Sequence, residues 1–271
     1  MSSTDTLAPG VRKDAPGPSS RPSSGWELGY WLWVAYRLAA FCVPVCTRLG
    51  VRPNLVTVVA SVTMLAGLGL LASGTAAGAL GGALLMHVYY VLDALDGDLA
   101  RATGRSSVYG TYLDDLNGHL MPPLLFAALG VHVYLAPQPP LWALGPDGGR
   151  TACLLLGGVA ALATAQHALA EMRMREALRA LAPKTSPAPV ASVPPPPSGA
   201  LGRREAFLRH LIGRHLVGMD GTLLPALVVA ALWRRLDVVL LVMAPVSLGS
   251  LLWHLTRAVV LLRRADRDGG R

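Results

Sequence analysis

The sequence predicts an all-α integral membrane protein: a six-transmembrane-helix bundle with an N-terminal amphipathic helix lying at the membrane interface. Three observations carry this. Of the 271 residues, 52% are hydrophobic and only 15% are charged, against the ~25% charged residues of a typical soluble domain. The apolar residues run in blocks rather than in alternation, and each block is close to the ~20 residues an α-helix needs to cross a bilayer. Basic residues collect between the blocks, as they do in the loops of helical membrane proteins.

Each segment has its own ground. Residues 1–25 are rich in Ser, Pro and Gly without an apolar stretch. They are expected to form a disordered cytoplasmic tail and not a signal peptide. Residues 26–48 set Trp26, Tyr30, Trp31, Trp33, Tyr36 and Arg37 among apolar positions, a composition suited to an interfacial helix. Glu27, Arg37 and Pro44 count against reading it as a further span. Arg52-Pro53-Asn54 ends one element and opens the next.

A catalytic domain over 53–262 then carries six candidate spans, at about 55–73, 77–99, 109–135, 152–172, 217–233 and 237–261. Between the fourth and fifth, residues 182–199 include Pro194 to Pro197 and are expected to be a flexible cytoplasmic loop. Residues 263–271 form a basic C-terminal tail. The three cysteines, Cys42, Cys46 and Cys153, show no metal-ligand spacing. Cys42 and Cys46 are four apart on a helix face, which suits apolar packing.

The net charge is +8. Because the basic residues flank apolar spans, lipid head groups and topology account for it better than nucleic acid does. If both termini are cytoplasmic, all but Arg150, Arg234 and Arg235 of the 24 basic residues fall on the cytoplasmic side. The same orientation puts the segment around Asp93 to Arg105 at the cytoplasmic face.

That segment holds the chemistry. The second span ends in Asp93, Asp96 and Asp98, and the third opens with Asp114 and Asp115. Five acids at one membrane boundary are costly unless hydrated, paired or bound to a cation. Asp93, Asp96, Gly97 and Ala100 share one helix stripe, and Gly110 shares a stripe with Asp114. Carboxylates facing each other from antiparallel helices make an oxygen-rich site for Mg²⁺ or Mn²⁺. Gly97 and Ala100 leave room for a ligand, and Arg101 adds a fork suited to phosphate. A solvated turn would explain one or two acids, but it fits five poorly when three of them, Asp93, Asp96 and Asp114, stand on matched stripes.

These residues resemble the signature of the CDP-alcohol phosphotransferases, D-x-x-D-G-x-x-A-R, eight residues, then G-x-x-x-D-x-x-x-D. Asp93, Asp96, Gly97, Ala100, Arg101, Gly110 and Asp114 match in type and spacing. Pro53-Asn54-Leu55-Val56-Thr57 resembles the opening of the family's first span. The resemblance implies transfer of a phosphoalcohol or phosphatidyl group from a CDP-alcohol to an acceptor hydroxyl, with release of CMP, in phospholipid or related lipid biosynthesis. It further implies two divalent ions held by Asp93, Asp96 and Asp114. Asn54, Thr57, Gly97, Ala100, Arg101 and Gly110 would surround the nucleotide, and the protein would be a homodimer among membrane lipids.

The last aspartate of the signature falls at Gly118. In the family that residue is the general base. Asp115 and His119, four apart, are the substitutes at hand, and Asp115 is also a possible metal ligand beside Asp114. On a straight helix His119 stands about 140° from Asp114. A π-bulge between Gly110 and His119, favoured by Gly118, Pro122 and Pro123, would bring His119 round as base. His87, the His167/Glu171 pair, Arg209, His210, Arg214 and His215 read more simply as bundle or interface residues, with Arg209 and Arg214 the first candidates among them for an acceptor phosphate. Asp220 is an intramembrane acid for which lining the cavity and a bundle role stay equally open.

Two other classes compete. A transporter also carries intramembrane acids, but near the midplane and on several helices. A catalytically silent relative would keep the nucleotide site and lack the base. The acceptor alcohol is not legible, nor is which half of the product the CDP carries.

Overall fold

The computed structural model describes residues 30–142, 147–181 and 223–269. The secondary structure of these residues is helical: α1 (Tyr30–Arg48), α2 (Pro53–Ala72), α3 (Ala76–Thr103), α4 (Val108–Leu135), α5 (Arg150–Leu181), α6 (Leu223–Leu232) and α7 (Leu236–Gly269). Five of them, α2, α3, α4, α5 and α7, are long and apolar enough to cross a membrane.

The expected fifth span is described only as the ten residues of α6, its first part lying outside the described residues. The 1–25 tail, the start of the interfacial helix and the proline-rich 182–199 segment also lie outside them. The expected basic tail after residue 262 continues the last helix as far as Gly269.

Local sequence sets the helix ends. Pro53 stands at the first position of α2, where its missing N–H costs nothing. Thr75 caps α3 by accepting from the Gly78 N–H at 3.0 Å. Gly104, in the left-handed conformation with φ 65°, closes α3. Ser107 caps α4 through the Gly110 N–H at 3.0 Å. The links between α2, α3 and α4 are so short that the three helices run antiparallel. The end of α3 and the starts of α2 and α4 therefore meet at one end of the bundle.

Glycines set the closest crossings. A Cβ on Gly82 would lie 2.6 Å from both the Gly67 carbonyl oxygen and the Leu71 nitrogen, so α3 rides directly on the α2 backbone. A Cβ on Gly157 would stand 2.7 Å from Gly130 Cα, which joins α5 to α4 in the same way. Met64, Leu71, Met86, Leu125, Phe126, Leu129, Leu227 and Leu240 fill the core between them. Close packing of small residues is the main attraction available to helices in lipid, where apolar burial gains little.

Helix α1 lies on α3. Ala35 and Ala39 are fully buried, while Phe41 and Leu49 are 79% and 75% exposed. Cys42 and Cys46 pack against the apolar cluster of Val56, Ala94, Leu95 and Leu99, in keeping with an apolar role.

The expected bulge in α4 is not there. The helix is continuous from Val108 to Leu135 through Gly118, Pro122 and Pro123. The physical reason is register. Asn117, Met121, Leu125, Phe126 and Leu129 are buried on one face. An inserted residue after Gly110 would turn that face by about 100° away from the core.

Gly82→Ala should destabilise the purified protein by about 1–3 kcal/mol, because backbone atoms must move. Gly81→Ala, whose Cβ would meet only Leu70 Cδ1 at 3.6 Å, should change little. Thermal unfolding of the two variants in one detergent makes the comparison.

Candidate active site at one end of the bundle

A cleft of about 80 Å³ opens where α2 and α4 begin and α3 ends. Pro53, Asn54 and Thr57 line it from α2, Asp96, Gly97 and Ala100 from α3, and Gly110, Thr111 and Asp114 from α4; Arg105, Ser106 and Ser107 close it from the link. The sequence-matched positions Asn54, Thr57, Asp96, Gly97, Ala100, Gly110 and Asp114 thus share one wall-to-wall space. The backbone N–H groups at the starts of α2 and α4 face the same end, a placement suited to phosphate.

Asp96 is 5% exposed, and its Oδ2 is a buried oxygen without a hydrogen-bond partner. The Thr57 hydroxyl lies between this carboxylate and the Pro53 carbonyl, 3.2 Å away. The Asp93 and Asp114 carboxyl groups lie within reach of each other, and the Tyr89 hydroxyl lies within reach of Asp93. Two ionised carboxylates this close repel each other unless a proton or a cation lies between them. Together with the orphaned Asp96 oxygen, this donor set has the chemistry of a hard divalent site. Among the described residues, however, no three His, Cys, Asp or Glu side chains are arranged to hold an ion.

A second layer holds these groups in place. The Ser107 hydroxyl donates to Asn54 Oδ1 at 2.9 Å and so ties the start of α4 to the start of α2. One turn further into the bundle, Asn117 Nδ2 donates to Ser61 Oγ at 2.9 Å. That hydroxyl in turn reaches the Thr57 carbonyl at 2.9 Å. Asn117 is buried one turn beyond Asp114, so the pair fixes the rotation of α4 against α2. A Cβ on Gly110 would stand 2.6 Å from Asn54 Oδ1, which shows why that position needs a glycine.

Several residues stand elsewhere than their spacing suggested. Asp98 is buried and bonds Arg101 Nη2 at 2.7 Å along its own helix. Arg101 is 63% exposed and does not line the cleft, although it lies within electrostatic reach of Asp96 and Asp114. Asp114, Asp115 and His119 are all exposed, but of the three only Asp114 lines the cleft. His119 Nδ1 donates to the Asp115 carbonyl at 2.6 Å. With α4 straight, the geometric ground for His119 as base is lost.

Sequence reasoning missed Tyr89, Ser61, Ser107, Arg105 and Asn117. Tyr89 is four residues before Asp93, and Ser107 is three before Gly110, so helix spacing could have found both. Ser61 and Asn117 are joined only by folding. Away from the site, His87 Nδ1 bonds the Ala83 carbonyl. His167 bonds Ser250 Oγ at 3.1 Å and stacks on His254 with ring centroids 4.6 Å apart. Arg209, His210, Arg214, His215 and Asp220 lie outside the described residues.

Fold and site together define a class: an integral membrane helix bundle that gathers carboxylates, small residues and two helix starts at one membrane boundary. Residues 50–182 match the model of the CDP-alcohol phosphatidyltransferase family, and this part of the chain belongs to that family. No curated protein matches the chain at a significant level. The family comprises phosphotransferases that act on CDP-alcohols in membranes and generally depend on divalent metal.

Ser107→Ala should cost about 0.5–2 kcal/mol through the lost cap, and should lower activity further than that loss explains because Asn54 is released. Thr111→Ala removes a hydroxyl bonded only to the Ser107 carbonyl, at 3.2 Å, and serves as the comparison in paired unfolding and turnover assays.

Proposed function

We propose that the protein transfers the phosphoalcohol or phosphatidyl group of a CDP-alcohol to an acceptor hydroxyl and releases CMP. The observation that carries this is the unpartnered Asp96 Oδ2 near Asp93 and Asp114, walled by Gly97, Ala100 and Gly110. Asp93, Asp96 and Asp114 would hold two divalent ions, Mg²⁺ or Mn²⁺, with Asp115 at the margin. Such ions supply neutralisation of the diphosphate and of the leaving phosphate oxygen.

The chain's own groups do the rest. Asn54, Thr57 and the starts of α2 and α4 orient the nucleotide, with Arg105 or Arg101 at the phosphates. The acceptor oxygen attacks phosphorus in line. The new phosphorus–oxygen bond forms as the bond to the CMP phosphate breaks, and the hydroxyl proton passes to a base.

Asp115 is the better candidate for that base. It stands about 60° around the helix from position 118 and one turn before it, whereas His119 stands about 100° away. A Cβ on Gly118 would meet nothing within 4 Å, so a side chain there would project into open space. The active site and both termini are assigned to the cytoplasmic side, and the enzyme to a six-span homodimer. Gly118 also favours a second reading, a silent relative that binds the nucleotide without turning it over.

Metal-dependent CMP release, assayed with a CDP-diacylglycerol or CDP-alcohol donor and a panel of acceptor alcohols, tests the first reading. Asp96→Asn and Asp114→Asn should each lower turnover by about 10²-fold or more. Asp115→Asn should lower kcat by roughly 10²–10⁴-fold with little change in donor KM, and His119→Ala should stay near wild type. Gly118→Asp should raise turnover. Nucleotide binding without CMP release from any acceptor in wild type, restored by Gly118→Asp, would establish the silent relative instead.

A further inference from the structure

A second cavity, about 290 Å³, lies at the opposite end of the bundle from the carboxylates. Here α2 turns into α3, α4 ends, and α6 turns into α7. Three ionisable side chains line it, His132, Arg234 and Asp237, with the polar Thr75 and Gln138 and otherwise small and apolar residues. None belongs to the cleft at the other end.

The two inner groups are acceptors. His132 is 8% exposed, and its Nδ1–H donates to the Leu71 carbonyl at 2.7 Å. In the neutral ring that leaves Nε2 as an acceptor. Asp237 is 5% exposed; its Oδ2 accepts the Leu141 N–H at 2.8 Å, with Arg235 Nη1 3.9 Å away. Both of these partners meet the same oxygen, Oδ2.

The outer group is Arg234. Among the described residues it is the one non-glycine with positive φ, at 55°. Its N–H bonds the Ala231 carbonyl at 3.1 Å, and the Arg235 N–H bonds the Ala230 carbonyl at 2.7 Å. This is the turn that ends a helix on a left-handed residue, a position where glycine is favoured because a Cβ is strained there. The chain carries a long cationic side chain at that position instead. Next to it, Leu232 and Trp233 are 62% and 75% exposed, as residues facing lipid at a membrane boundary are.

We propose that this cavity binds the head group of a membrane phospholipid of the phosphoethanolamine type. The phosphate is held by Arg234 at the rim, and the ammonium group by Asp237 and His132 within. The acceptors on His132 and Asp237 ask for a ligand that donates hydrogen bonds, and Arg234 asks for an anion; a zwitterionic head group with a primary ammonium supplies both. The position at the membrane boundary makes the lipid the source.

The test is thermal unfolding of the full-length protein in detergent, alone and in mixed micelles with phosphatidylethanolamine or phosphatidylcholine. Phosphatidylethanolamine should raise Tm by several degrees. Phosphatidylcholine, whose ammonium has no N–H, should raise it much less. Arg234→Gly should be at least as stable as wild type without lipid, since glycine suits the turn, and should lose the phosphatidylethanolamine increment. Equal protection by the two lipids, or a full increment in Arg234→Gly, overturns the proposal. Soluble glycerophosphoethanolamine at matched concentration should protect little, and protection equal to that of the lipid would overturn the lipid assignment. Native mass spectrometry provides an independent reading: one retained phosphatidylethanolamine per wild-type chain, and none on Arg234→Gly.

Discussion

A carboxylate carried into the end of a membrane bundle is unstable unless something positive, polar or wet compensates it. This chain places Asp93, Asp96 and Asp114 where two helices meet, and the rest of the structure follows from accommodating them. The Tyr89 hydroxyl turns toward Asp93 and Thr57 toward Asp96. Two helix starts lend partial positive charge at the same end. The Ser107–Asn54 and Asn117–Ser61 bonds stop α4 from rotating its acid out of the group. What still lacks a partner, Asp96 Oδ2, marks where a ligand would complete the set.

The two ends of the helices obey different rules. Toward the carboxylates, contacts are polar and side chains are short. Toward the middle and the far end, the packing of glycines and leucines takes over, with backbone against backbone at Gly67/Gly82 and Gly130/Gly157. An open cleft cannot itself be packed like a crystal interior, so its shape is held by the packed half acting through the helix axes. The straightness of α4 belongs to the same division. Its core face from Asn117 to Leu129 holds the register, and the departure at Gly118 leaves a gap on the surface instead of a distorted turn.

The long helices and the residues gathered at the cleft were legible in the sequence because both are one-dimensional signals. Apolar block length gave the long helices, and spacing along two stripes gave Asp93, Asp96, Gly97, Ala100, Gly110 and Asp114. What was not legible depends on contacts between segments far apart. Ser61 and Asn117 are 56 residues apart, and neither stands out on its own helix. Asp98 looked like a member of the carboxylate group until its bond to Arg101 showed that one acid was already neutralised on another face. The bulge expected in α4 came from reading Gly118, Pro122 and Pro123 locally. The apolar residues on either side of them had the larger stake in the helix phase.

The glycine contacts have a mechanical consequence. They clasp α2 to α3 and α4 to α5, which makes two stiff hairpins with the carboxylate cleft lying between them. At the far end, Gly74 comes so close to α4 that a Cβ there would stand 2.6 Å from Leu135 Cβ. The short link from Gly104 to Ser107 and the Ser107–Asn54 bond join the same hairpins at the cleft. The molecule is therefore built as a frame tied at two corners, one at the acid-bearing helix ends and the other a touch between a glycine and a leucine about a helix length away.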